Sequence, residues 1–359
     1  MTSSLSRDAA LTELISDDAA IDLLHGLVGI PSLSGEESGA VEYLVGKMLE
    51  LGFDAHIDPA GSAVGTIGTG PTQIILLGHI DTVPGDIPVR IDSGILHGRG
   101  TVDAKGPLAT FVAAAAAATG VNATITVIGA VGEEAIGSPG ANQIARNYSP
   151  HLCIIGEPSG WETLCLGYRG TISFEYHLSQ SSRHSAGPGE SVAEQAVRFW
   201  NDLVAELDSR NGSSTGFNAI GASLRSFNTS GDGLQDEIHL SVGLRLPPSV
   251  HSSTLLPMIS ELSTNGQLSW NGIQEGYQTD KRSPLTAPFL RAIRAQGGTP
   301  RFTRKLGTSD MTVVGPVWQC PIVAYGPGDS ALDHTPDEHI ALDEYLAAIR
   351  VLSQVLNDL

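Results

Sequence analysis

Short, almost wholly apolar runs alternate along this chain with segments whose apolar residues recur at helical spacing. "IILLGHI" (74–80), "TITVIGAV" (124–131) and "LCIIG" (152–156) carry apolar residues at every position or nearly so, the pattern of strands covered on both faces. "SGEESGAVEYLVGKMLELG" (34–52) predicts a helix, with Ser34 and Glu37 spaced as a capping box and Gly52 closing it. "KGPLATFVAAAAAA" (105–118) predicts a helix packed closely through small residues. Such alternation implies an α/β fold with a mostly parallel or mixed β-sheet flanked by helices.

The middle of the chain changes pattern. A strand "TISFEYHLS" and an amphipathic helix "SVAEQAVRFWNDLVAEL" are followed by two strands, "NAIGASLRSFN" and "EIHLSVGLRLP", with no helix between them. A helix "TLLPMISELST" and a strand "GQLSWNGIQEGY" complete the order β-α-β-β-α-β. That order predicts a ferredoxin-like α+β domain over residues 168–278, inserted into a first domain made of 1–167 and 279–359. After it the α/β pattern resumes with helix "APFLRAIRAQGG", strand "PIVAYGP" and a closing amphipathic helix "LDEYLAAIRVLSQVLNDL".

The length of 359 residues suits two domains. With 41% hydrophobic and 16% charged residues the chain is globular in type. Its 39 acids against 20 bases give a net charge of −19, which argues against nucleic acid and anionic membrane surfaces as partners. Cys153, Cys165 and Cys320 form no CxxC, so a disulfide framework or zinc ribbon is not expected and a cytoplasmic location fits. The first twenty residues show no apolar run of the signal-peptide kind, and "FVAAAAAATG" is too short to span a bilayer.

Chemistry gathers where α/β sheets place their sites, at the carboxyl ends of strands. "IILLG" runs into His79 and Asp81, "ITVIGAVG" into Glu133 and Glu134, and "LCIIG" into Glu157. Asp103 stands just before a predicted helix, and "DHTPDEH" offers His334 far downstream. Singly, each reads as an ordinary loop residue or helix cap. Together they place several carboxylates at one rim with only Lys105 near them in sequence, an arrangement that is costly without a cation. The donors are nitrogen and oxygen, suited to Zn²⁺, with Co²⁺ or Mn²⁺ also accommodated. A carboxylate shared by two such ions would set them ~3.5–4 Å apart. One of Glu133 and Glu134 can hold metal while the other acts as a general base. Asp81 lies on the same side of an extended chain as His79 and can accept the second imidazole N–H.

"GHIDTVP", "GRGTVDAKGPLA", "GAVGEEAIGSPG", "IIGEPSG" and "DHTPDEHI" together resemble the two-zinc aminoacylase/carboxypeptidase family. That family includes carboxypeptidase G, acetylornithine deacetylase and succinyl-diaminopimelate desuccinylase. The resemblance covers nearly the whole chain in the right order. It implies that His79 and Glu157 hold one zinc, Glu134 and His334 the other, and Asp103 bridges them. It makes Glu133 the general base and Asp81 the residue that orients His79, and it implies a cis peptide at Asp103–Ala104. His184, in "SSRHSAGPGES", matches a lid histidine that stabilises an oxyanion, often presented across a homodimer formed through the lid. Arg245 in "GLRLPP" matches a lid arginine that meets a substrate carboxylate, and Asn228 matches a lid asparagine. Gly307, Thr308 and Ser309, with Asp310, resemble a substrate-side loop.

"IPVR", "GRGTVDAKGPLA" and "GTSDM" look most like the lysine-biosynthesis branch, whose enzymes release lysine or ornithine from the C-terminal glutamate of an amino-group carrier protein. The resemblance therefore implies hydrolysis of the amide on the α-nitrogen of a basic amino acid. The carrier is acidic in that branch and this chain is too, so Arg90, Arg99, Lys281, Arg282, Arg301, Arg304 and Lys305 would have to form a compensating patch. Acetylornithine or acetyl-lysine deacetylation and general dipeptide or carboxypeptide hydrolysis are rival activities. A non-catalytic metal-binding protein is the rival of another class; the presence of Glu133 beside the full ligand set weighs against it.

Overall fold

A computed structural model describes residues 15–118, 120–184 and 186–359. The reading of the first twenty residues falls largely on 1–14, outside the described residues, as does Ser185 of the His184 motif. The chain forms two compact units. One comprises the residues up to Gly167 with Thr279–Arg304 and Ser309–Leu359, and the other is Tyr168–Gln278 with Lys305–Thr308.

The first unit is built on a mixed sheet. Strand Thr72–His79 pairs in parallel with Ala123–Ala130 on one side and Leu152–Gly156 on the other. Ile322–Tyr325 extends the sheet in parallel beyond Leu152–Gly156, then meets Thr163–Tyr168 antiparallel. On the opposite flank Ala63–Ile67 and Asp54–Ile57 add antiparallel strands. The apolar runs read from the sequence are thus the central strands, and Ile74, Leu76, Val127 and Ile154 lie in one buried cluster.

Helix Lys105–Ala117 is buried along its whole length and packs against both the sheet and the closing helix Leu342–Asp358. Its seat is a row of glycines. Gly78 pairs with Gly129 and with Gly156 on the neighbouring strands. A Cβ at Gly129 would meet Leu108 at 3.1 Å, and one at Gly156 would meet Phe111 at 3.0 Å. The small residues bring the helix, and Asp103 just before it, against the ends of the three parallel strands.

The expected capping box at Ser34 is not formed. The helix begins at Ser38, and Glu37 at its cap makes no side-chain bond to it. Ser34 Oγ instead donates to Asp81 Oδ2 at 2.7 Å. A local capping pattern has yielded to a long-range hydrogen bond. The capping box the structure contains joins Ser191 and Glu194, at the start of helix Val192–Asn211.

The second unit is an antiparallel four-stranded sheet in the order Gly221–Gly231, Gln235–Leu246, Gly170–Ser181, Gln267–Gln274. Helices Val192–Asn211 and Leu256–Leu262 join its strands in the ferredoxin-like β-α-β-β-α-β order. Ile172, Phe174, Tyr176 and Leu178 alternate with Ile238, Leu240, Val242 and Leu244 to form its core with Phe199 and Leu203 of the longer helix. The segment Lys305–Thr308 joins this unit because Gly307 O accepts the Arg169 N–H and Leu306 O accepts from Arg169 Nε.

Candidate metal centre

Asp103 faces an imidazole with each of its carboxylate oxygens. His79 Nε2 lies 3.2 Å from Oδ1 and His334 Nε2 lies 3.0 Å from Oδ2. His334 Nε2 also lies 2.8 Å from Glu134 Oε1. His334 holds its ring there from a left-handed backbone, φ 60°, in the turn after Ser330–Leu332. The Asp103–Ala104 peptide is cis.

The other face of the His79 ring fixes its tautomer. Nδ1 lies 3.0 Å from the Asp81 carbonyl oxygen and 3.4 Å from the Asp81 carboxylate. An Nδ1–H donates there, and Nε2 is the ring atom turned to Asp103, free to lose its proton to a metal ion. The nearer acceptor is the Asp81 main chain, whereas the strand pattern pointed to its carboxylate. That carboxylate is otherwise engaged: Oδ1 accepts the Glu133 N–H at 3.0 Å, and Oδ2 accepts the Glu134 N–H at 3.0 Å as well as the Ser34 hydroxyl. Asp81 therefore pins both the ring and the loop that carries the two glutamates.

Among the described residues, donor atoms mutually within 4.8 Å form the sets His79–Glu133–Glu134 and Asp103–Glu134–His334. The second set matches one expected metal position together with its bridge. In the first, Glu133 stands beside His79 where the resemblance places Glu157. Glu157 follows Gly156, the strand partner of Gly78, so it lies at the same rim, and its charge acts on Glu133.

The electrostatics are those of crowded carboxylates. Burial, with the like charges of Asp310, Glu157 and Glu134, pushes the Glu133 carboxyl well above its usual range against the pull of His79. Burial lifts Asp310 to about 7, opposed by His79 and reinforced by Asp81. Neither carboxylate oxygen of Asp310 has a hydrogen-bond partner among the described residues. For Asp103, burial is outweighed by the hydrogen bonds to His334 and His79, which hold it well below the carboxylate range. For His79, burial would lower the imidazole, but Asp103 and Asp81 reverse that and carry it well above its ordinary value. Paired lone pairs on Nε2 and carboxylate oxygens, with further buried acids behind them, fit divalent cations: these donors would hold two ions with Asp103 between them.

The remaining candidates lie in the second unit, except Ser309, which belongs to the first. His184 is exposed, in the loop after strand Gly170–Ser181, and its Nδ1 accepts the Ala186 N–H at 3.1 Å. Arg245 Nη1 meets Thr308 Oγ1 at 3.2 Å, and Gly307 is held by Arg169. Ser309 is fully buried and caps helix Asp310–Trp318 by accepting the Met311 N–H. Asn228 is not beside Arg245. It pairs with His239, whereas Arg245 pairs with Gly221, and the strand rise separates the two rows by about 20 Å. Of the expected basic patch, Arg99 is unavailable: it is 13% exposed and bound to Glu338 at 2.6 Å.

Glu338 is a site residue that the sequence did not single out. Fully buried, it accepts the main-chain N–H of Val102 at 2.9 Å and of Asp103 at 3.1 Å through Oε1. Only its neighbourhood in "DHTPDEH", close to His334, hinted at it.

The model of peptidase family M20/M25/M40 matches residues 75–358, a span that contains every residue of this centre. The chain belongs to that family. A [LysW]-lysine hydrolase of Deinococcus radiodurans is 44% identical over 353 residues, covering 95% of this chain and 97% of that protein. A [LysW]-lysine/[LysW]-ornithine hydrolase of Sulfurisphaera tokodaii is 28% identical, covering 94% and 95%. Among solved structures, an M20 metallo-carboxypeptidase of Sulfolobus solfataricus superposes with a TM-score of 0.79 at 16% identity, covering 94% of this chain and 98% of that one. A dinuclear metal-binding M20 peptidase of Bacillus subtilis gives 0.69 at 14% identity, covering 98% and 99%. At those identities the M20 structures share the fold.

Proposed function

We propose that this M20 enzyme hydrolyses the amide on the α-amino group of lysine, or ornithine, and frees the amino acid from the C-terminal glutamate of an amino-group carrier protein. Asp103, with an imidazole on each oxygen, carries the chemical half of this reading; the 44% identity to a [LysW]-lysine hydrolase supports the substrate. The cations are two Zn²⁺, with Co²⁺ or Mn²⁺ as substitutes. His79 and Glu157 would hold one, Glu134 and His334 the other, with Asp103 available to both.

Ions bound there polarise the substrate carbonyl and let water react as a nucleophile near neutral pH. Glu133 takes the proton of the attacking water and passes it to the leaving α-amine. Asp81 keeps the His79 ring and the Glu133 main chain in place for that transfer. His184 is assigned to the oxyanion, and Arg245 with Gly307 and Thr308 to the substrate carboxylate. Asn228 and Ser309 are assigned to substrate binding as well; one stands far along the sheet from Arg245 and the other caps a helix. The reading includes a homodimer through the lid and a cytoplasmic location. Three cysteines without disulfides agree with the latter, and no helix among the described residues is long and apolar enough to cross a membrane.

A substrate panel tests the reading, run on chelated and on zinc-reloaded enzyme. It comprises carrier-linked lysine and ornithine, acetyl-lysine, acetyl-ornithine and free dipeptides. The expected result is preferential release from the carrier, dependent on added metal. Preference for the acetylated amino acids or for dipeptides would overturn the carrier assignment, and full activity in verified metal-free protein would overturn the metal assignment.

A further inference from the structure

The sheet of the second unit has one face under helices and one face without them. On strands Gly170–Ser181 and Gln235–Leu246 the residues at 172, 174, 176, 178 and at 238, 240, 242, 244 fill the core beneath the helices. Their alternates emerge on the other face. The two strands pair without a register shift, which sets His177 directly opposite His239. The two rings stack with centroids 4.3 Å apart and planes 17° from parallel.

Glu237 stands two residues before His239, on the same face, with Oε2 3.9 Å from His239 Nε2. One donor atom from each of His177, Glu237 and His239 lies within 4.8 Å of the other two. An independent observation points to a ligand. His177 Nε2 is shielded from solvent and has no hydrogen-bond partner among the described residues. A shielded ring nitrogen without a partner forgoes the interaction that water would have given it.

We propose that His177, Glu237 and His239 form a further divalent-cation site of the zinc class, on the open face of the sheet of the second unit and made wholly of that unit's residues. Two imidazoles and one carboxylate are a zinc donor set; nitrogen donors disfavour Mg²⁺ and Ca²⁺. Tetrahedral ligands at about 2.0–2.1 Å from the ion sit roughly 3.4 Å from one another. From separations of up to 4.8 Å the three donors need to close to that distance, and the half-exposed His239 ring needs to turn out of the stack so that both imidazoles hold the ion in their ring planes. The ion would satisfy His177 Nε2, clamp the two middle strands together and keep a fourth position for water. Asn228 pairs with His239 on the next strand, so a cation there would sit beside the asparagine matched to the family's lid motif. The site owes nothing to the Asp103 centre: none of its residues is shared with that centre.

The test is the zinc content of the full-length protein after equilibrium dialysis against buffered free Zn²⁺, for wild type, His239→Gln and Glu237→Gln. Wild type is expected to bind one equivalent more than His239→Gln, and Glu237→Gln to hold that equivalent at least tenfold more weakly. Amide hydrolysis should be unchanged in both, which also reports that they fold. Equal zinc content in wild type and His239→Gln across the titration would overturn the proposal and leave the pair a simple ring stack. Because the readout is a difference between proteins that share the Asp103 centre, it does not depend on the number of ions at that centre.

Discussion

Glu338 Oε1 accepts the main-chain N–H of Asp103 at 3.1 Å and that of Val102 at 2.9 Å, across 235 and 236 positions of sequence. Its other oxygen meets Arg99 at 2.6 Å. The loop that presents the doubly engaged carboxylate is therefore anchored by a fully buried acid that is ion-paired with Arg99. Removal of one member of a buried pair strands the other, at a cost of about 3–5 kcal/mol.

Glu338→Ala is expected to destabilise the protein by that order and to weaken metal binding, because the Asp103 main chain loses its anchor. Urea unfolding of the metal-free proteins reads the first effect, and competition with a chelator of known affinity reads the second. Wild-type metal affinity in a folded Glu338→Ala protein would contradict the anchoring role.

Asp81 makes a prediction of a different kind. Its carboxylate receives the amides of Glu133 and Glu134 and the Ser34 hydroxyl, and its main chain receives the His79 ring. Burial would raise this carboxyl, but His79, Ser34 and the Glu134 amide hold it below the usual range, so it serves as an ionised acceptor. Asp81→Ala keeps the main-chain acceptor for His79 and loses the grip on the glutamate loop. Metal affinity is expected to fall about 10–100-fold, the usual effect of removing a supporting residue behind a ligand, and kcat to fall with it even at saturating metal. Unchanged kcat at saturating metal would show that the glutamate loop needs no such anchor.

Glu133→Gln separates proton transfer from metal binding. The amide matches the carboxyl in shape and cannot take a proton, so kcat is expected to drop by about 10²–10⁴-fold or more with metal content preserved. Metal analysis beside steady-state kinetics checks both. A metal-loaded Glu133→Gln enzyme with near-wild-type kcat removes Glu133 from its proposed role. Loss of one metal equivalent would instead make it a ligand, the place its position beside His79 also permits.

The central strands and most rim residues were legible because a strand covered on both faces must be apolar throughout, so His79, Glu133 and Glu157 at its ends stand out against it. The inserted unit was legible because two strands follow one another with no helix between. Ser34 misled, since a capping pattern is local and cannot reveal a competing acceptor 47 positions away in Asp81. Glu338 was hidden for the same reason. The sheet of Arg90–Asp92, Ile95–His97 and His339–Ala341 went unread because three residues carry no period. The separation of Asn228 from Arg245 depends on register, which strand patterns do not disclose across a hairpin.

Lys105 gives a pH prediction with a definite sign. Its ammonium is buried at the carboxyl end of helix Asp17–Val28, donating to Ile30 O at 2.7 Å and Leu27 O at 3.2 Å. Burial lowers it to about 8, with Glu338 and Asp81 opposing the shift. A lysine in the unfolded chain titrates near 10.4. Between those values the unfolded chain holds more protons than the folded one, so unfolding free energy rises with pH, by at most about 1.4 kcal/mol per unit. Below about 8 both states are protonated and the contribution is flat. Lys105→Met has no such titration. Relative to Lys105→Met, wild type should therefore gain stability steadily from pH 8 to pH 10, as read by urea unfolding of both proteins in the same metal state. Every other titrating group is common to the pair and cancels. A difference that stays constant over that window would mean that Lys105 ionises as an ordinary surface lysine, and one that shrinks would mean that the helix carbonyls hold its charge more strongly than burial opposes it.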